Sequence, residues 1–268
     1  RWALIANTGG SATAGRVTMA QVADGPAGFA NCLKITTTTA DTSIAAGEHL
    51  ILNQSIEGQD LQQLQKGTAT AKQVTVSFYV KGNASATYTC ELYDVDNTRQ
   101  IAQEFAVTTS WNRIELTFAA DTSDPLDDDN ARSLDFNFWL HAGSTYTGGT
   151  FSSNAWKDNV NNTRVSDSQT SIFDATSRTF FITGVQMELG DTATAFESRS
   201  YGEELALCQR YYSNKFKTTF GGIGTSSSAV FSLAFPVEMR ANPTVSLSTG
   251  STFNIDAFGV GTTDITPP

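Results

Sequence analysis

Apolar and polar residues alternate with a period of two along most of the first 190 positions. In Val74-Thr-Val-Ser-Phe-Tyr-Val80, Val74, Val76, Phe78 and Val80 fall on one face and Thr75, Ser77 and Tyr79 on the other, the pattern of a strand with one buried side. A slip by one residue would bury the polar set, so the register is fixed. The same parity runs from Trp111 through Ile114, Leu116 and Phe118. From Leu134 to Leu140 it places Leu134, Phe136, Phe138 and Leu140 inward and sends Trp139 and His141 to the opposite face. Strands from Tyr88 to Tyr93 and from Ile101 to Val107 flank a hairpin connection at Asp94-Val-Asp-Asn97. Shorter strands are predicted from Asn31 to Ile35 and from Glu48 to Leu52. Near position 190, Val185, Met187 and Leu189 alternate with Gln186 and Glu188 until Gly190-Asp191 stops the run. Leu61 and Leu64, three apart, suit a single helical turn closing one end.

About eight short strands with turn signals between them and no strand–helix–strand rhythm argue for an all-β fold. The expected architecture is an antiparallel jelly-roll β-sandwich over residues 1–198. Ser200-Tyr-Gly-Glu203 reads as a capping box, because hydroxyl and carboxylate each satisfy a free amide at a helix start. It opens a short helical connector, 199–214, with Leu205, Cys208 and Tyr212 on one side. Strand patterns at 216–220, 229–235, 244–247 and 252–258 then predict a smaller C-terminal β domain over 215–268, expected to continue in a longer polypeptide. Residues 141–178 form a long excursion rich in Gly, Ser, Asn and Asp, and a loop of that length in a compact domain is usually functional or mobile.

Composition narrows the chemistry. The 268 residues are only 16% charged and carry a formal net charge of -10, which disfavours nucleic acid, whose phosphates need clustered Lys and Arg. No apolar run reaches the roughly 18 residues of a membrane span, so no membrane insertion is expected. Cys32, Cys90 and Cys208 each sit among apolar residues and read as buried free thiols. With two histidines, His49 and His141, and no Gly-x-Ser-x-Gly turn, a nucleophilic hydrolase has little to build on. Glu188 beside Gln186 is the one suggestive carboxylate for glycoside chemistry, and a structural role suits it better. No cofactor is expected beyond a structural calcium, whose candidate ligands Asp124, Asp127 and Asp129 lie in the densest acidic run.

Sugar recognition needs aromatic faces beside polar side chains. Trp139, His141, Tyr146 and Trp156 are the candidate glycan-binding residues, with Tyr79 as a further aromatic and Asn137, Asn154 and Asp158 as polar partners. Trp156 has an equally good use in pinning its long loop to the sandwich.

Three stretches carry a resemblance: Gly184-Val-Gln-Met-Glu-Leu-Gly-Asp-Thr-Ala-Thr-Ala-Phe-Glu197, Glu203-Glu-Leu-Ala-Leu-Cys-Gln-Arg-Tyr-Tyr212 and Phe235-Pro-Val-Glu-Met-Arg-Ala-Asn-Pro-Thr-Val245. Together they resemble a pattern recurrent in bacteriophage tail-fibre and other appendage proteins. The upstream half is similar to the galactose-binding-like jelly rolls of carbohydrate-binding modules. The resemblance implies a non-enzymatic virion component, a tail or capsid fibre at the particle surface. Its implied partners are two further copies in a homotrimer, other virion proteins and a host-surface glycan. It also implies that Gln186, Glu188, Arg210 and Tyr211 belong to a structural signature. The alternatives are a carbohydrate-binding module of a secreted enzyme, which would be monomeric, and a glycan depolymerase, which would need an acidic cleft with paired carboxylates.

Overall fold

The computed structural model describes residues 2–11, 13–214, 217–225, 228–244, 253–257 and 260–265. They fall into two units, 1–198 and 199–268. The first contains β1 (Trp2–Thr8), β2 (Arg16–Val22), β3 (Cys32–Thr39), β4 (Glu48–Glu57), β5 (Val74–Gly82), β6 (Ala86–Asp94), β7 (Arg99–Val107), β8 (Asn112–Phe118), β9 (Arg132–Ala142), β10 (Lys157–Asp158) and β11 (Thr179–Leu189). Two antiparallel sheets result, one ordered β1-β4-β9-β6-β7-β10 and the other β2-β3-β11-β5-β8. The chain changes sheet at β2, β4, β5, β6, β8, β9 and β11, which is how a jelly-roll sandwich is wound.

The alternating faces meet as the sequence pattern requires. Val76, Phe78 and Val80 of β5 are buried against Tyr88, Phe105, Phe138 and Phe180. Phe78 packs edge-on to Phe138 and Phe105 with ring centroids 4.8 and 5.1 Å apart. Each such side chain contributes about 1.5–3 kcal/mol by leaving water. Leu61 and Leu64 are buried by two 3-10 turns, Gly58–Asp60 and Gln62–Leu64, that close one end.

A bulge breaks the parity of β9. Trp139 pairs with Ile51 but His141 with Leu50, so Leu140 is the extra residue. An extra residue reverses the face on which the following side chains fall. Trp139 therefore stays on the outer face, as its position predicts, whereas His141 is returned to the interior side and packs on Phe173 at 4.9 Å.

The acidic run is organised around a lysine. The Lys66 ammonium donates to Asp94 at 2.6 Å, Asp121 at 3.1 Å and the Ser123 and Asp124 carbonyls at 3.0 and 2.8 Å. Arg99 joins Asp121 to Asp158. Asp129 accepts from its own loop's Ala131 amide, and the Asp127 amide donates to Asp96. Among the described residues no group of three or more acidic, His or Cys side chains is placed to hold a metal ion.

In the second unit, helix α2 (Tyr201–Gln209) starts with the Ser200/Glu203 capping box. Two antiparallel pairs follow, β12 (Lys217–Thr225) with β13 (Ser228–Ala234) and β14 (Phe253–Ala257) with β15 (Val260–Ile265). Positions 216, 245–247, 252 and 258 of the predicted strands lie outside the described residues. Cys32 and Cys90 are buried, but Cys208, on a helix that buries none of its residues, is exposed, contrary to the expectation for it. Among the described residues no helix is long and apolar enough to cross a membrane.

Candidate functional site

The outer face of the six-stranded sheet is polar in rows. Antiparallel register aligns Ile51, Trp139, Thr89 and Glu104 across β4, β9, β6 and β7. The next row is Asn53, Asn137, Glu91 and Ala102, and the third is Ser55, Asp135, Tyr93 and Gln100.

Glu91, fully buried, is the centre of this face. It accepts from Asn137 Nδ2 at 3.0 Å, Trp139 Nε1 at 2.8 Å, and Arg164 Nε and a terminal nitrogen at 2.8 and 2.7 Å. Asn137 in turn accepts from Asn53 at 2.8 Å. A buried carboxylate persists only when paired and hydrogen-bonded, and here it is both. Burial alone would lower the Arg164 pKa, but Glu91 outweighs it and holds the guanidinium above its ordinary value. Arg164 comes from the 141–178 excursion and lies between two rings, 4.7 Å from Tyr93 and 4.9 Å from Trp139. The long loop therefore folds back over the sheet and plugs the middle of its face.

Beyond that plug lies the third row, in which Asp135 and Gln100 are buried and Ser55 and Tyr93 half-buried. Ser55 donates to Asp135 at 2.7 Å, and exposed Arg132 pairs with the other Asp135 oxygen at 2.8 Å. An aromatic ring, a hydroxyl, a carboxylate and two guanidinium groups thus lie along one row of the sheet, the residue types that recognise a sugar.

The residues singled out from sequence lie elsewhere. Trp139 is only 1% exposed, its ring covered by Arg164, Tyr146 at 5.1 Å and His49 at 5.9 Å, so it forms the floor and no open platform. Tyr146, in the one-turn helix α1 (Ser144–Thr147; α1 precedes α2 in the chain), packs on that floor and edge-on to His49. Trp156 donates to the Ala119 carbonyl at 2.8 Å and lies 5.4 Å from the Lys66 ammonium, which fixes the excursion to the sandwich. His141 is buried: Nδ1 meets Ser171 Oγ at 2.7 Å and Nε2 lies 3.5 Å from Glu48. Burial drives its pKa down to about 4, and burial with help from Asp41 drives that of Glu48 up. Neither His141 nor Trp139 can meet a ligand as placed, because a bulge in one case and a loop in the other remove them from the surface.

Gln186 and Glu188 hold the segment after β11. The Glu197 amide donates to Gln186 at 2.8 Å, and both the amide and hydroxyl of Thr194 donate to Glu188. Arg113 binds the Thr194 carbonyl from the neighbouring strand. These bonds draw Glu188 below the ordinary carboxylate range although its partial burial acts the other way. Within the second unit, Arg210 and Tyr211 line a cleft of about 340 Å³ with Tyr212, Met239 and Arg240.

No family model matches this chain, and no curated protein does. Solved structures with a similar course of strands include a carbohydrate-binding module of the CBM4 family, 16% identical over 70% of this chain and 86% of that one, with a TM-score of 0.38. A family 11 carbohydrate-binding module from a Clostridium thermocellum cellulosomal cellulase is 14% identical over 73% of this chain and 91% of that one, at 0.36. The enzymatically active domain of tailspike protein 4 from bacteriophage CBA120 is 15% identical over 70% of this chain but 19% of that one, at 0.38. Likenesses this loose say nothing about a site in this chain.

Sequence reasoning missed Tyr93, Glu91 and Arg164. The available signal was Glu91 itself, a charge inside Tyr88-Thr-Cys-Glu-Leu-Tyr93 that demands a buried cation from elsewhere in the chain.

Proposed function

We propose that this chain is a non-catalytic, glycan-binding jelly-roll domain carried on a surface appendage of a bacteriophage virion. The observation that carries the glycan reading is the third row, where half-buried Tyr93 stands beside Ser55, Asp135, Arg132 and Arg164. Arg164 covers one face of the phenol ring, so a sugar meets the part of Tyr93 left accessible while the flanking groups take its hydroxyls. Glu91 and its partners are already satisfied by one another, which leaves recognition to the third row. Glu188, the one carboxylate that suggested cleavage, is occupied by Thr194.

Affinity electrophoresis against a panel of neutral oligosaccharides tests this. The expected result is retardation by at least one glycan, reduced tenfold or more in affinity by Tyr93→Ala; no retardation by any neutral glycan, or full retention in Tyr93→Ala, contradicts it.

The virion setting rests on the resemblance of residues 184–197, 203–212 and 235–245 to appendage proteins, and with it comes a homotrimer, since a threefold fibre multiplies weak contacts into avidity. Exposed Ile5 and Met19 on the two edge strands β1 and β2 suit burial against a neighbouring copy. Light scattering on a sizing column should give three times the chain mass. A monomer would favour the alternative, a free-standing carbohydrate-binding module of a secreted enzyme.

A further inference from the structure

The outer face of the five-stranded sheet carries a second set of rings and charges that the preceding reading does not use. Lys34 on β3, Phe181 on β11 and Lys81 on β5 are direct neighbours in the ladder, and Trp111, the residue before β8, lies beside Lys81. The Lys34 ammonium is 5.3 Å from the Phe181 ring centre. Lys81 is 4.9 Å from Phe181 and 5.1 Å from Trp111. Phe181 and Trp111 meet edge-on at 6.3 Å. Cation, ring, cation, ring therefore alternate across three strands and the residue leading into a fourth.

Lysine stems lying over a phenyl ring are commonly just its cover. That explains the burial of Phe181 but not the charges. In a chain with 27 acidic and 17 basic residues acids are in surplus, yet half-buried Lys34 makes no ion pair or side-chain hydrogen bond among the described residues. Lys81 does have an acid, and it is supplied by the connection between β2 and β3: both Asp24 oxygens lie 2.8 Å from the ammonium, on a side chain that is 48% exposed. The Trp111 indole N–H is buried without an acceptor. An anion is thus already bound to this row by one of its two cations, through a carboxylate that is itself half-exposed and so open to replacement by another.

We propose that Lys34, Phe181, Lys81 and Trp111 form a binding site for an acidic sugar, a carboxylate or phosphate borne on a pyranose. The anionic group takes the place of the Asp24 carboxylate at Lys81 and also satisfies Lys34. The apolar ring face lies against Trp111, where stacking and cation–π attraction act together. This face is distinct from the Tyr93 margin, and the proposal shares with that reading only the class of ligand.

Titration calorimetry with three probes separates the possibilities: a tetragalacturonate, glucose 6-phosphate, and a neutral tetrasaccharide of the panel above. Binding of either acidic probe that weakens as salt is raised is expected, falling at least tenfold in Lys81→Met and in Lys34→Met. Methionine keeps the stem over Phe181, and an unchanged melting temperature shows that the fold survives. Asp24→Asn removes the internal competitor and should raise affinity about threefold. Whichever acidic probe binds identifies the source of the anion. No binding of either acid by the wild-type chain, or binding that both lysine variants retain, overturns the proposal. Binding of the neutral sugar should respond to Tyr93→Ala and be untouched by the lysine variants, so failure of one site is distinguishable from failure of the other.

Discussion

Glu91 receives four hydrogen bonds from Asn137, Trp139 and Arg164, and only the first two are near one another in the chain. Lys66 does the same with opposite sign at the end of the sandwich, lying between Asp94 and Asp121, all three buried. Removing one member of such a group strands the others in a poorly solvated place, which costs about 3–5 kcal/mol. Lys66→Met should lower the free energy of urea unfolding by that amount, and a loss below about 1 kcal/mol would show that the network is dispensable. His141 gives a pH dependence. Its folded pKa of about 4 lies below the ordinary 6.5, so the unfolded chain binds its proton more readily. The stability it contributes is present above pH 6.5 and is lost as pH falls toward 4, about 3 kcal/mol for a shift of that size. Glu48 acts in the opposite sense, since its raised pKa favours the protonated folded state. Unfolding measured from pH 7 to pH 4 should show a flatter decline in His141→Gln than in the wild-type chain; parallel curves would exclude His141 as the group responsible.

Among the elements, the strands whose alternation is unbroken were legible from sequence down to their buried faces: Val74, Val76, Phe78 and Val80 in β5, and Leu116 and Phe118 in β8. β9 was legible only to Trp139, because the bulge at Leu140 carries no Gly or Pro to announce it. β11 has the opposite case. Its register shifts between Thr183 and Gln186, and Gly184 there has φ of +59°, with Phe29 so close that an added Cβ would lie 2.6 Å from the ring. Glycine is required on both counts. The excursion 141–178 was recognisable as an unusual loop, but its placement over the sheet depends on Arg164 meeting Glu91 across 73 residues, a pairing no local pattern encodes. The tie from β11 to residues 194–197 can be tested at this scale. Gln186→Ala combined with Glu188→Ala should expose that segment to limited proteolysis several-fold faster while lowering stability by about 1–2 kcal/mol. An unchanged cleavage rate would mean that Arg113 and Phe196, the latter 5.1 Å from Phe29, suffice.

At the scale of the whole first unit, both outer faces of the sandwich depart from what a mere scaffold needs. One has a buried Glu91 network with half-buried Tyr93 beside it, and the other has a row of rings and cations with a half-exposed internal anion. The inward-facing residues explain why the chain folds; these outward ones explain what it can hold. Their types were visible in sequence, but the rows exist only through the pairing of β4, β9, β6 and β7, and of β3, β11, β5 and β8. The most direct test of glycan recognition is chemical-shift mapping by NMR with the neutral oligosaccharide that binds best. Shifts should concentrate at Ser55, Tyr93, Arg132, Asp135 and Arg164. Shifts confined to other surfaces, or none at saturating ligand, would contradict recognition at the Tyr93 margin.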